Sequence, residues 1–252
     1  VCRKSRCYHA GAATDRGAGA LEAAGIPVAP DADRRLMTRI EDDFCSFSLD
    51  TSGAPLHRRG HKPAVGKAPM RDTMAALFLR QCGFDGREPV LDPMCGAGTF
   101  LLEAAELSGR LAPGRSRTFA FEHMAGFDPA AWAALKEAEP APGPMAPCFG
   151  SDRDQGVIGM ARQNAEAAGV ADAIRFEQRA FSDIARPDGP PGLVIVNPPY
   201  GARIGNKKLL FGLYGALGAA LKERFGGWRG GLVTSEPALA KATQLPWAGS
   251  GP

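Results

Sequence analysis

The sequence predicts an α/β protein built on a parallel, doubly wound sheet, with a smaller α+β region ahead of it. Three observations carry that expectation. From about residue 68 onward, short apolar stretches alternate with longer amphipathic ones, the pattern of successive strand–helix units. One stretch, Leu193-Val194-Ile195-Val196, is apolar on both faces, as a strand buried inside a parallel sheet must be. Finally, three strand ends carry, in order, an acid with glycines, an acid, and Asn197-Pro198-Pro199-Tyr200, and open α/β sheets bind ligands at the carboxyl ends of their strands.

Along the chain, Cys2 to Tyr8 reads as a strand bearing Arg3, Lys4 and Arg6. Such an exposed basic strand could contact phosphates, or its charges could simply protect an edge from aggregation. Ala18 to Ala24 is helix-like and stops at Gly25 and Pro27. Met37–Ile40 and Phe44–Leu49 read as paired strands, the second alternating. Residues 55–67 form a basic connector with His57, Arg58, Arg59, His61, Lys62 and Lys67 and no acid. It reads as a linker or as a lip beside a polyanion. Met70 to Gln81 is a helix with Met74, Leu77 and Phe78 on its apolar side, ending at Gly83.

Pro89-Val90-Leu91-Asp92-Pro93-Met94-Cys95-Gly96-Ala97-Gly98-Thr99 is a strand running into a glycine-rich turn and then a helix, Phe100 to Leu107. Gly96 and Gly98 permit close backbone approach to a ligand. The full G-x-G-x-x-G spacing is missing, and so is the lysine of a P-loop. Asp92 instead offers a carboxylate that suits a ligand ammonium. Cys95 reads as a packed residue and Thr99 as a helix cap. Phe119-Ala120-Phe121 is apolar, Asp128-Pro129 opens a helix to about Glu139, and Trp132 reads as core. Pro147 to Asp152 is a strand ending in an acid that could chelate ribose hydroxyls or simply cap the helix that follows. Asp154 caps a helix closed by Gly169, and Ala173 to Arg179 is the next strand.

Pro198 and Pro199 lack N–H donors, so strand pairing must stop there and a stiff corner follows. The Asn197 side-chain oxygen and the Pro198 carbonyl can present two acceptors to one amino group, with Tyr200 as a flat neighbour. Leu210 to Phe225 is an amphipathic helix with Phe211, Tyr214, Leu217 and Leu221 on one side, and Gly231 to Ser235 is a fifth strand.

With 252 residues and 44% hydrophobic content, the chain suits one large globular domain plus a smaller region. Apolar runs are strand-sized, too short to span a membrane. The net charge of +3 is too small by itself to prove nucleic-acid binding. The six cysteines form no C-x-x-C pair, so no zinc site is signalled, and free thiols fit a reducing, cytoplasmic setting. The first residues lack an initiator Met and a signal-like segment, the aspect of the middle of a longer protein.

Asp92-Pro93-Met94-Cys95-Gly96-Ala97-Gly98-Thr99 together with Asn197-Pro198-Pro199-Tyr200 resembles the S-adenosylmethionine-dependent amino-methyltransferases, whose fold is the Rossmann-like class I sheet. More narrowly, residues 55–240 resemble the RNA guanine-N2 methyltransferases that carry an N-terminal THUMP domain, above all their ribosomal large-subunit branch. Leu56-His57-Arg58-Arg59-Gly60, Lys67 to Thr73, Ala112-Pro113-Gly114 and Phe119-Ala120-Phe121-Glu122 carry this narrower likeness. The resemblance implies a partial THUMP-like, RNA-binding region at 1–54, a connector at 55–67 and a methyltransferase domain at 68–252. It implies S-adenosyl-L-methionine as cofactor, with Asp92, Pro93, Cys95, Gly96, Gly98, Thr99, Asp152, Arg153, Phe181 and Asn197 around it. Asn197, Pro198, Pro199 and Tyr200 would hold the target amine. Arg3, Lys4, Arg6, Arg58, Arg59 and Lys62 would contact RNA, ribosomal rather than transfer RNA, and no metal or membrane is implied. The chain departs from the family at Ala180, where many relatives place an acid against adenine, and at His61, where Tyr is common. The family's usual last hairpin is not visible in Leu239 to Pro252. The tetrapeptide alone also suits adenine N6 or a protein glutamine amide, and a non-catalytic RNA-binding module would keep the same shell.

Overall fold

The computed structural model describes residues 5–6, 9–32, 34–60, 63–64, 70–200 and 207–249. The chain divides into two compact units, one from residues up to Leu56 together with Thr118–Glu137, the other from His57–Arg117 and Ala138 onward.

The larger unit is the expected sheet. Its strands are β3 (Val90–Asp92), β4 (Cys148–Asp152), β5 (Ile174–Gln178), β6 (Leu193–Val196) and β7 (Arg229–Leu232), while β1 (Leu36–Glu41) and β2 (Phe44–Leu49) belong to the smaller unit. All neighbours are parallel, in the order β5-β4-β3-β6-β7. The order reverses between β3 and β6, and that reversal is where a doubly wound sheet opens a crevice. Strand β6 is buried along its whole length, which explains why its sequence does not alternate. Helices α2 (Asp72–Gln81), α3 (Thr99–Gly109), α5 (Gln155–Ala168), α6 (Lys207–Arg224) and α7 (Pro237–Ala242) flank the sheet.

One helix presents a different face from that expected, and a second departs at one position. In α2, Met74 and Leu77 are exposed, while Ala75 and Leu79 are buried and Phe78 packs against the core. In α6, Phe211 is largely exposed, whereas Leu210, Tyr214, Leu217 and Leu221 face inward. The α2 stripe is rotated by one residue because a continuous apolar run fits more than one face, whereas α6 keeps Tyr214, Leu217 and Leu221 on its inner face as expected, with Leu210 in place of Phe211. Strand β7 begins two residues earlier than expected, and α7 was not anticipated. Among the described residues no strand follows β7.

Helix α3 is buried nearly all round, including Glu103 and Glu106. Each acid is answered by an arginine. Arg59 Nε and Nη2 donate to the two Glu103 carboxylate oxygens at 3.0 and 3.1 Å, and Arg115 Nη2 donates to Glu106 Oε1 at 2.8 Å. Burial lifts the Glu103 carboxyl above its ordinary range, against the pull of Arg59. Arg59 is therefore an internal ion pair rather than the free cation expected for RNA, and removing one partner would strand a buried charge at a cost of about 3–5 kcal/mol.

In the smaller unit, β1 (Leu36–Glu41) and β2 (Phe44–Leu49) pair as expected, as an antiparallel hairpin with Leu36 opposite Leu49 and Glu41 opposite Phe44. Asp42 and Asp43 both take positive φ at its turn, the geometry a two-residue hairpin turn requires. The Arg6 backbone N–H and guanidinium hold the Asp43 carboxylate at 2.6 and 2.7 Å and keep it below the usual acid range. Ser5 and Arg6 form a bend rather than strand, and Cys2, Arg3, Lys4, Cys7 and Tyr8 lie outside the described residues. Helix α1 (Ala10–Ala23) starts eight residues before the expected Ala18 and buries none of its residues. The segment Thr118–Glu137 joins this unit: Phe121 N–H donates to the Thr51 carbonyl at 3.0 Å, and Trp132 meets Phe119 and Phe121 edge-on. Helix α4 (Pro129–Glu137) is capped by Asp128, as expected. Among the described residues, no helix is long and apolar enough to cross a membrane, and no group of three His, Cys, Asp or Glu side chains is placed to hold a metal.

Candidate active site

The glycine turn after β3 is fixed by its own backbone. Met94 N–H donates to Asp92 Oδ1 at 3.0 Å, Cys95 N–H to the Ser151 carbonyl at 3.0 Å, and Gly96 N–H to Asp152 Oδ2 at 3.2 Å. The last two bonds tie the end of β3 to the end of β4, so Asp92 and Asp152 sit at one edge of the sheet. Gly96 has φ +52, and a Cβ built there meets nothing within 4 Å: the turn faces open space. Gly98, at φ +86, is the opposite case. A Cβ there would press on Leu102, Phe176 and Ala161, so this glycine lets α3 start close against the sheet. Gly98, rather than Thr99, is the N-cap of α3; Thr99 is buried in its first turn.

Asp92 is 2% exposed, and burial pushes its carboxyl up to about 8, with Asp152 adding repulsion and the Met94 N–H pulling the other way. A buried acid with a single backbone donor is poised for a cation, because a ligand ammonium supplies the missing countercharge. Asp152 accepts one backbone N–H on each oxygen, from Gly96 and from Asp154 at 3.0 Å, and its remaining lone pairs are free to accept hydroxyls. These residues fit an amino-acid-bearing nucleoside. Pro93 is buried beside them, its carbonyl 3.5 Å from Ser151 Oγ. Cys95 is buried too, and burial raises its thiol well above the ordinary range, which removes it as a nucleophile. Arg153 is exposed directly after Asp152. Phe181, in a short 3-10 turn after Ala180, packs into the apolar cluster of Leu91, Val194 and Met94.

Across the reversal point, β6 ends at Val196 and Asn197 follows. The Asn197 side-chain oxygen is buried and accepts no hydrogen bond among the described residues. Such orphans are rare, because each costs about 1–3 kcal/mol. Pro198 is buried, Pro199 exposed, and Tyr200 is half-buried against the cluster of Leu210, Tyr214 and Leu239. Gly201 lies outside the described residues.

The sequence places Tyr214 in the core, and it is fully buried there, but its hydroxyl also lies 3.4 Å from the Pro199 carbonyl and is hydrogen-bonded to Thr234. It braces the proline corner from behind. Tyr214→Phe is expected to lower the melting temperature modestly, for a loss of about 1 kcal/mol, which calorimetry checks. A polar atom on an otherwise apolar helix stripe was the available signal. The same signal marks Asn164 on α5, between Ala161 and Ala168.

Of the residues expected at RNA, Arg58 is exposed, with its carbonyl accepting from Arg117 Nη1 at 3.3 Å, and Arg59 is half-buried in its pair with Glu103. Arg3, Lys4 and Lys62 lie outside the described residues, as do His61 and Lys67. Two open depressions elsewhere, one on the hairpin and one beside Arg229, carry no comparable convergence.

The family model described as UPF0020, RMKL-like methyltransferase domain, matches residues 59–247. The "Ribosomal RNA large subunit methyltransferase K/L" of Vibrio campbellii (strain ATCC BAA-1116) is 38% identical over 221 residues, which cover 84% of this chain and 31% of that protein. The chain thus spans about a third of the length of that relative. Among solved structures, SMU.472 in complex with SAH superposes with a TM-score of 0.77 at 26% identity, covering 90% of this chain and 61% of the other. A Listeria monocytogenes str. 4b F2365 protein described as a predicted N6-adenine-specific DNA methylase superposes with a TM-score of 0.75 at 31% identity, covering 92% and 62%. The five-stranded parallel sheet is accordingly the Rossmann-like methyltransferase fold.

Proposed function

This chain belongs to the RMKL-like methyltransferase-domain family, and from that membership we propose that it methylates the exocyclic N2 of a guanine in 23S ribosomal RNA with S-adenosyl-L-methionine as donor. The observation that carries the amine half of this reading is the buried, unpaired side-chain oxygen of Asn197. A buried acceptor without a donor calls for a ligand N–H, and an exocyclic amino group brings two.

When bound, the cofactor supplies an electrophilic methyl group on a sulfonium. The chain's own residues do the rest. Asp92 holds the ammonium end and Asp152 the ribose, so that the donor lies along the strand ends. Asn197 Oδ1 accepts one N–H of the target amine and the Pro198 carbonyl the other. A guanine amine is a poor nucleophile because its lone pair is delocalised into the ring. Two acceptors in fixed positions draw the nitrogen toward a tetrahedral shape and free that lone pair to point at the donor. Pro198 and Pro199 keep the acceptors from moving, and Tyr214 braces the corner. The new N–C bond would form as the sulfonium's S–C bond breaks, leaving a neutral thioether, and the methylated nitrogen would lose its surplus proton to solvent afterwards, so positioning and electrostatic preorganisation carry the catalysis without a general base. Tyr200 stacks on the target base once it has left its own stack, which is worth about 1–3 kcal/mol.

The name of the Vibrio relative supports ribosomal RNA as substrate. Charge distribution supports a polyanion at the larger unit, which carries 22 Lys and Arg against 16 Asp and Glu, whereas the smaller unit carries 8 against 11. Residues 1–54, within the smaller unit, are read as the partial THUMP-like RNA-binding region. The likeness to the Listeria protein favours adenine N6 as a second reading. Incubation with labelled donor and ribosomal RNA, followed by digestion and mass analysis of nucleosides, is expected to yield labelled N2-methylguanosine. Labelled N6-methyladenosine would transfer the assignment to adenine, and absence of label in any nucleoside would overturn the reading.

A further inference from the structure

Asn164 sits in the middle of α5 and is fully buried, yet its amide serves two segments remote in sequence. Oδ1 accepts the Ala64 N–H at 3.0 Å, and Nδ2 donates to the Ala64 carbonyl at 2.8 Å. The side chain thus pairs with both polar groups of Ala64 as a neighbouring strand would. Nδ2 also donates to the Ala97 carbonyl at 3.1 Å. Ala97 is the central residue of Gly96-Ala97-Gly98, the turn that faces open space at the cofactor end of β3. One amide therefore fastens the connector to the turn.

The connector is held at a second place nearby in sequence. Arg59 forms its bidentate pair with Glu103 on α3, the helix that begins at Gly98. Gly60, at φ +90, passes so close to the Ser116 carbonyl that a Cβ would lie 2.9 Å from it. The stretch expected to be a linker is, where described, built into the cofactor side of the larger unit. The turn needs such support. Gly96 and Gly98 both take positive φ, conformations that glycine reaches without penalty but also leaves without penalty. Holding the Ala97 carbonyl fixes the peptide between them, and the alternative orientations of that peptide would leave buried Nδ2 short of an acceptor.

We propose that Asn164 is a positioning residue for the cofactor: by binding Ala97 and Ala64 together it sets the glycine turn and makes its shape depend on the connector. This rests on the assignment of the turn to S-adenosyl-L-methionine made above, and the test separates the two. Asn164→Asp keeps the shape, removes both N–H donors and sets an oxygen against the Ala64 and Ala97 carbonyls. Asn164→Ser is the milder variant should the first fail to fold. Ile158→Ala, a core truncation on the same helix whose side chain makes no hydrogen bond to either segment, controls for general loosening. Two readouts are taken: SAH affinity by calorimetry, and amide exchange over residues 94–99 in the protein without SAH.

The expected result is about tenfold weaker SAH binding in the Asn164 variants, the equivalent of one lost buried hydrogen bond, with faster exchange at Gly96 and Gly98 and a turnover number at saturating donor close to wild type. Ile158→Ala is expected to lower the melting temperature without either change. Folded Asn164 variants with unaltered exchange and SAH affinity would overturn the proposal, as would changes no larger than those of Ile158→Ala. Failure of the wild-type protein to bind SAH would instead strike the cofactor assignment, while the exchange comparison would still judge the role of Asn164 in shaping the turn.

Discussion

Asn197→Ala is expected to lower methyl transfer by about 10²–10³-fold, the typical loss when one preorganised group that meets the reacting centre is removed. The substitution is mild for the fold. It deletes an oxygen that is buried and accepts no hydrogen bond among the described residues, so none of them is orphaned, and the melting temperature should hold or rise. That combination, a stable protein with little turnover, distinguishes a group kept for substrate from one kept for structure. The measurement is single-turnover transfer of label to RNA, with SAH affinity measured in parallel. Near-wild-type turnover together with unchanged SAH binding would remove Asn197 from the mechanism.

Asp92→Asn is expected to raise stability and abolish most cofactor affinity. The ligand-free carboxyl titrates at about 8 because burial disfavours its charge. The sign follows from linkage. The folded protein binds this proton more tightly than the unfolded chain, whose aspartate titrates near 4, so Asp92 weakens the fold progressively as pH rises from about 4 to about 8. The gradient is about 1.4 kcal/mol per pH unit within that window. The neutral asparagine escapes it, so the variant's advantage in melting temperature should widen between pH 5 and pH 8 and then level off. Binding runs the other way. An ammonium on the ligand needs the ionised acid, so wild-type SAH affinity should increase about tenfold per unit as pH rises toward 8 and then flatten. Asp92→Asn should bind SAH about 100-fold more weakly and lose that slope. Calorimetry at pH 6.5 and 8.5 checks both statements, and a wild-type affinity independent of pH would contradict them.

Much of this site was legible because its determinants are local. Two prolines end a strand wherever they occur, glycines at positive φ announce a turn, and acids at strand ends need no distant partner to be noticed. The order of those three signals also determined the sheet, since a parallel order with one reversal brings the ends of β3, β4 and β6 to the same edge. What escaped the sequence depends on partners far along the chain. Arg59 reads as a surface cation until Glu103, 44 residues away, is seen to neutralise it. Asn164 lies 100 residues from Ala64 and 67 from Ala97. Nothing local assigns Thr118–Glu137 to the smaller unit, because its aromatic residues satisfy one another in the same way wherever the segment packs. The rotated stripe of α2 has the same cause: its apolar residues exceed what one face can bury.

That shared membership of Thr118–Glu137 bears on how the two units can be separated or exchanged. The polypeptide crosses from one unit to the other three times, after Leu56, after Arg117 and after Glu137. A cut at the first crossing alone would free the hairpin but leave Phe119, Phe121, Phe127 and Trp132 behind, deprived of the Thr51 backbone and its surroundings. Grafting a foreign N-terminal unit onto this enzyme core would therefore demand a matched internal loop from the same donor. Natural recombination at the obvious boundary faces the same obstacle, so the two segments are expected to be inherited together.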